Sequence, residues 1–260
     1  MIECQTGKQW LIAALLLAGG LVVGPLLAEV KEPGTEARAE SHELVGEAYD
    51  PQSDELLYRE FYRFGDNGWP SQVVYRLPDG TLITEKLLLQ GNSPLIPSFV
   101  QRNHLTGRLI QVDVDVDKLT LLYRENETAE SEQTTLSLPA RAVVDAGFDA
   151  FVQRHWQELL AGDELSMEFL ATTRQRFVGL VMQRHECAAS KANHVCLRIG
   201  AANRLLRWLL DPIDLVYRRD NRKLQQFTGV SNLVMAGGET PKVIIHYDYS
   251  AGEASADSAD

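Results

Sequence analysis

Several signatures of chemistry are missing from this sequence. It has no Gly-x-Ser-x-Gly elbow, no His-Glu-x-x-His helix, no glycine-rich phosphate loop and no dinucleotide fingerprint. Cations are scarce: 25 Lys+Arg stand against 36 Asp+Glu, a formal charge of -11. That balance argues against a nucleic-acid reader with a broad phosphate-neutralising face, and against anionic partners in general. A calcium loop is suggested by Asp113, Asp115 and Asp117, but such a loop needs Gly at its sixth position and Glu at its twelfth. Lys118 and Arg124 stand there instead.

Long apolar runs are equally rare, and the single one has a clear meaning. Trp10 to Val23 carries no charge, follows a short polar start with Lys8, and continues through Leu27 to Ala28 before Glu29. This is the pattern of a signal peptide over 1–28, cut after Ala28. Leu26 fits the peptidase poorly, which keeps open an uncleaved anchor, since Trp10 to Leu27 is long enough for a helix to cross ~30 Å of hydrocarbon. On either reading the rest of the chain is exported by the general secretory route, to the periplasm, and touches a membrane only through that segment if it is retained. No cysteine directly follows the run, as a lipoprotein would need, and no Arg pair precedes it. Residues 29–42 read as a disordered linker, 43–249 as a single β-rich domain, and 250–260 as a disordered acidic tail.

Of the three cysteines, Cys4 lies ahead of the apolar run, leaving Cys187 and Cys196 in the domain. In an oxidising compartment two thiols at this spacing are best read as a disulfide. They also sit in repeated His-x-Cys pairs, and residues i and i+2 of a strand share a face. His185, Cys187, His194 and Cys196 are therefore the alternative, a metal-ligand set.

The domain is patterned mainly as strands. Glu55 to Phe64 and Gln72 to Leu77 are rich in aromatic and branched residues, and Pro78-Asp79-Gly80 turns the chain into Thr81 to Leu89. Gln111 to Asp117 alternates, placing Val112, Val114 and Val116 on a core face and the three aspartates in water. Further strands are expected at Leu119 to Arg124, Thr134 to Leu138, Leu165 to Phe169, Arg176 to Arg184, Val195 to Ile199, Ile213 to Arg218, Lys223 to Phe227 and Lys242 to Tyr249. Apolar residues at three- and four-residue steps predict a long helix from Ala142 to Leu160, capped by Gly162, with His155 beside its buried stripe. Arg204 to Leu210 predicts a short apolar helix, whose Trp208 is a candidate pocket residue. The fold class is α+β, mainly antiparallel: a curved sheet or half-barrel with one long packed helix and one short helix.

Three stretches, Trp208 to Asn232, Gly46 to Glu60 and Phe148 to Trp156, resemble a pattern found in uncharacterised exported proteins of Gram-negative bacteria. The closing strand, turn, strand and Gly-x-Ser-Asn at Gly229 to Asn232 is more distantly similar to envelope carriers built as a curved antiparallel sheet over helices. Some of those carry lipoprotein lipid chains in the concave face. The resemblance implies a fold and no catalytic residue.

The function expected is non-catalytic binding of an apolar ligand such as a lipid, or of an envelope protein partner, without a cofactor. It predicts a cavity of several hundred Å3 lined by apolar side chains. An assembly or scaffolding role using sheet edges is the alternative. A hydrolase with a carboxylate pair is a third reading, with Glu60, Asp113 and Asp211 as candidate acid and base.

Overall fold

The computed structural model describes residues 44–89, 93–187, 193–203 and 212–250. The expected signal segment or anchor, the linker, the short helix with Trp208, Asp211 and the acidic tail beyond residue 250 lie outside these residues.

The first half of the domain is an antiparallel meander of eight strands: β1 (Leu44–Tyr49), β2 (Leu56–Phe64), β3 (Pro70–Arg76), β4 (Leu82–Leu89), β5 (Ser98–Asn103), β6 (Leu109–Val114), β7 (Lys118–Arg124) and β8 (Glu132–Ser137). Then come β9 (Ala142–Val143) and two short helices, α1 (Gly147–Arg154) and α2 (Trp156–Ala161). A second meander follows, of β10 (Leu165–Ala171), β11 (Arg176–His185), β12 (His194–Ala201), β13 (Ile213–Arg218), β14 (Leu224–Val230) and β15 (Lys242–Asp248).

β1 also pairs with β15, so the two meanders merge into one curved, unclosed sheet of 15 strands with β8 and β9 at its edges. Every pairing is antiparallel except the short β9–β10 contact. The edges approach without joining. Gln175, at the turn between β10 and β11, hydrogen-bonds Thr134 and Glu132 of β8 through its side chain. Leu170 and Phe177 of those strands pack into the core cluster that the first meander shares with Val243 and Ile245 of β15.

Strand formation follows the alternation. Along β7, Leu119, Leu121 and Tyr123 are buried while their neighbours face outward. The aspartate-rich segment departs from expectation at its end. β6 stops at Val114, Asp115 N–H bonds Lys118 C=O to close a tight turn, and Val116 is 86% exposed rather than in the core. The expected helix over Ala142–Leu160 is also divided. Its first two residues form β9, and the helical part breaks at His155, whose φ of -102° and ψ of 20° leave the helical region. Both pieces still bury the expected stripe, with Phe151, Val152, Trp156 and Leu159 packed on Met182, Leu197 and Leu215.

Two glycines permit close approaches. A Cβ at Gly147 would lie 2.0 Å from Leu95 C=O, so only glycine lets the start of α1 dock on that loop. The second is Gly46, in β1 between Glu60 and Tyr247.

Cys187 and Cys196 form a disulfide, with Cα atoms 5.4 Å apart, closing the loop between β11 and β12. The two sulfurs therefore bond each other and are not ligands to a metal. Replacing both cysteines by serine is expected to cost about 2–3 kcal/mol, a fall in Tm of roughly 5–10 °C, because the loop it closes is short. Thermal unfolding of the double variant against the oxidised parent measures this. An unchanged Tm would mean that the loop is held by other contacts.

Candidate functional site

The concave face of the sheet encloses a cavity of about 610 Å3. Its polar side belongs to two inward-facing rows set by register, of which Tyr247, Glu60, Tyr75, Leu44, Tyr62 and Lys86 reach the cavity. One inward-facing row crosses six strands as Tyr247, Gly46, Glu60, Tyr75, Thr84 and Asn103. The next row runs Leu44, Tyr62, Val73, Lys86, Gln101 and Ile110. Charged, amide and hydroxyl groups thus occupy an inner face where alternation would place apolar residues: Glu60, Thr84, Lys86, Gln101 and Asn103 are all buried. The opposite wall is different in kind. Phe148, Phe169, Leu180, Ile199, Leu215 and Phe227, from α1 and β10 to β14, line it with apolar surface.

The polar wall is organised around two groups. Glu60 is buried, and the Tyr62 hydroxyl donates to its Oε2 at 2.6 Å, with the Tyr247 hydroxyl at 3.4 Å from the same oxygen. Gly46 lies between Glu60 and Tyr247, and a Cβ there would fall 3.0 Å from the Tyr247 ring and 3.2 Å from Glu60 Oε2. The missing side chain is what lets the two approach. Burial pushes the Glu60 carboxyl above its ordinary range, opposed by the Tyr62 bond and by the charge of Lys86.

Lys86, only 3% exposed, donates to both carboxylate oxygens of Asp145 at 2.7 and 2.9 Å. Its ammonium also lies 5.7 Å from the Phe99 ring centroid and 6.0 Å from that of Tyr75. Asp145 reaches it from the bend before α1, where φ is +45°, a conformation in which aspartate is one of the more tolerant residues. One turn further on, the Tyr217 hydroxyl donates to Asp149 at 2.9 Å. Burial raises the carboxyl of Asp149, and its bonds with Tyr217 and Gln153 counter that rise.

The segment after β14 crosses the concave face. The hydroxyls of Ser231 and Tyr58 share a hydrogen bond of 2.9 Å, and Ser231 Oγ accepts Leu233 N–H at 3.0 Å. Asn232 hydrogen-bonds Tyr75, Leu233 is fully buried, and Asn103 donates to Val234 C=O at 2.7 Å. The Gly-x-Ser-Asn sequence is therefore a strap tied to the inner wall by side-chain hydrogen bonds. Exposed turn residues mark the mouth: Gly68 between β2 and β3, and Asn221 and Arg222 between β13 and β14. Arg222 C=O accepts Gln153 Nε2 at 2.9 Å, and the Arg222 guanidinium lies over the Trp156 ring. The neighbouring Lys223 ammonium sits 4.6 Å from the Tyr249 ring centroid.

Of the residues picked out from sequence, Glu60 lines the cavity. Asp113 is exposed on β6, so the structure does not bring these two carboxylates together. His155 lies at the junction of α1 and α2, its ring 4.6 Å from Phe151 and its Nδ1 2.9 Å from Glu158 Oε2, and it does not line the cavity. His185 Nε2 is 3.6 Å from Asp214, which Arg198 grips with two bonds. Among the described residues no group of three or more His, Cys, Asp or Glu side chains is placed to hold a metal ion. Nor is any helix among them long and apolar enough to cross a membrane. Sequence reasoning missed Lys86, Asp145 and Asp149. A charged residue in a strand reads as water-facing, and the Lys86–Asp145 pair spans 59 positions.

The raised carboxyl of Glu60 has a definite sign in stability. Below the unfolded value both states hold the proton; as pH rises through the higher folded value, ionisation in the buried site costs stability. Glu60→Gln is therefore expected to melt above the parent at pH 7–8, with the gap closing toward pH 4. Melting curves across that range check it, and a gap that widened on acidification would contradict the burial account.

No family model, curated protein or solved structure matches the chain, so the chemistry of the cavity has to be read from its own residues.

Proposed function

We propose that this protein is a non-catalytic binding protein of the cell envelope, working in the periplasm, which holds one small amphiphilic molecule or lipid chain inside its curved sheet. The observation that carries the reading is the cavity of about 610 Å3, with an apolar wall on one side and a small set of converging polar groups on the other. Ligand sites of about 300–1,000 Å3 have this composition, apolar area for affinity and few polar groups for orientation. The disulfide fits an oxidising compartment. A binding role also fits the pairing of the polar groups: Lys86 and Asp145 neutralise each other, and Ser231 Oγ bonds Tyr58 and a backbone N–H rather than a base.

The test is titration with Nile red, a neutral apolar dye whose emission reports a dry environment. Saturable one-to-one binding at micromolar concentration or tighter is expected. Leu180→Trp, which adds bulk to the apolar wall, should weaken it about tenfold while leaving the fold intact by circular dichroism. Absence of saturable binding would remove the reading. Where the dye binds, native mass spectrometry of protein from its host envelope identifies the molecule it displaces.

A further inference from the structure

The two walls of the cavity differ in a way that selects among amphiphiles, and this inference rests on the binding role proposed above. Among the described residues that line the cavity, the acidic groups Glu60, Asp145 and Asp149 outnumber the one interior cation, Lys86, which is held by both oxygens of Asp145. The other lining cations, Arg222 and Lys223, belong to the turn at the mouth. Glu60 is set among four tyrosines that also line the cavity, Tyr58, Tyr62, Tyr75 and Tyr247. They form two edge-to-face pairs, Tyr58 with Tyr75 and Tyr62 with Tyr247, each with ring centroids 6.3 Å apart. Their rings present quadrupoles that attract cations, and a carboxylate among aromatic rings is the arrangement by which proteins hold alkylammonium groups.

We propose that the polar wall is a head-group site for an amine or alkylammonium, so that the natural ligand is a cationic amphiphile: its charged nitrogen sits against Glu60 among the tyrosines and its apolar tail lies along Phe148, Phe169 and Phe227. The physical reasoning is one of charge balance. A carboxylate in a desolvated site is costly unless a counter-charge meets it, and Lys86 is already committed to Asp145. An ammonium head supplies that charge, whereas a carboxylate head would meet an interior already in acidic excess.

Three tail-matched probes separate head from tail: oleylamine, oleyl alcohol and oleate, each titrated below its aggregation threshold by displacement of bound Nile red. The amine is expected to bind about tenfold more tightly than the alcohol, and oleate most weakly. Glu60→Gln should abolish the preference, bringing the ratio of amine to alcohol affinity, both read in the same variant, to within about twofold. Tyr62→Leu, which keeps the Glu60 carboxyl but removes one ring and the hydroxyl that donates to it, should reduce the preference in part. Equal binding of all three probes would overturn the head-group assignment and leave the binding role standing. Tightest binding of oleate would overturn it as well and would place the head at the Arg222 mouth. Failure of every probe, and of Nile red itself, would overturn both.

Discussion

The backbone hydrogen bonds on both sides of β1 are the constraint on which this structure depends. β1, Leu44–Tyr49, pairs with β2 along one edge and, from Val45 onward, with β15 along the other, and so turns two separate meanders into one sheet. Without that seam Glu60 and Tyr247 would belong to different sheets and the concave face would have no continuous wall. The seam also favours the glycine. A Cβ there would crowd one neighbour's carboxylate and the other's ring at 3.0–3.2 Å, and Gly46 avoids this at the centre of the strand.

Much of the sheet is legible in the sequence because its signals are local. Pro78-Asp79-Gly80 marks the β3–β4 turn, with Gly80 at a φ of +91° and Asp79 accepting Thr81 N–H. The alternation of β7, and that of β6 as far as Val114, places the right residues inward, and the cysteine spacing matches the disulfide. What escapes is short or long-range. β1 and β5 are six residues each and mix glycine, glutamate, glutamine and arginine with their apolar positions, so neither stands out from a loop. The break at His155, where φ of -102° and ψ of 20° leave the helical region, interrupts a stripe that stays apolar across it, so no periodicity encodes it. Pairing between β1 and β15 is a tertiary fact, invisible to any window.

The site was half legible for the same reason. Glu60 falls within an obvious strand, flanked by aromatics at alternate positions, and that context separates it from the many solvated carboxylates of an acidic chain. Lys86 offers no such hint. It is buried because Asp145, brought in by the bend ahead of α1, meets it inside. Burying a charge is tolerable only with a partner and well-made hydrogen bonds, and here both come from parts of the chain that local patterning treats as independent.

The unjoined edges have a mechanical consequence. In a closed barrel, strand number and shear fix the diameter. Here the perimeter between β8 and β9 is bridged through the Gln175 side chain and the packing of Leu170 and Phe177, not through a ladder of backbone bonds. Such a perimeter yields to load: spreading it forfeits side-chain hydrogen bonds worth about 1 kcal/mol each, while every strand keeps its ladder. The girth of the bore is therefore compliant while the spacing of Glu60, Tyr62 and Tyr247 across the seam is stiff. The two ends of the cavity thus differ in stiffness, one held by backbone ladders and the other by side chains.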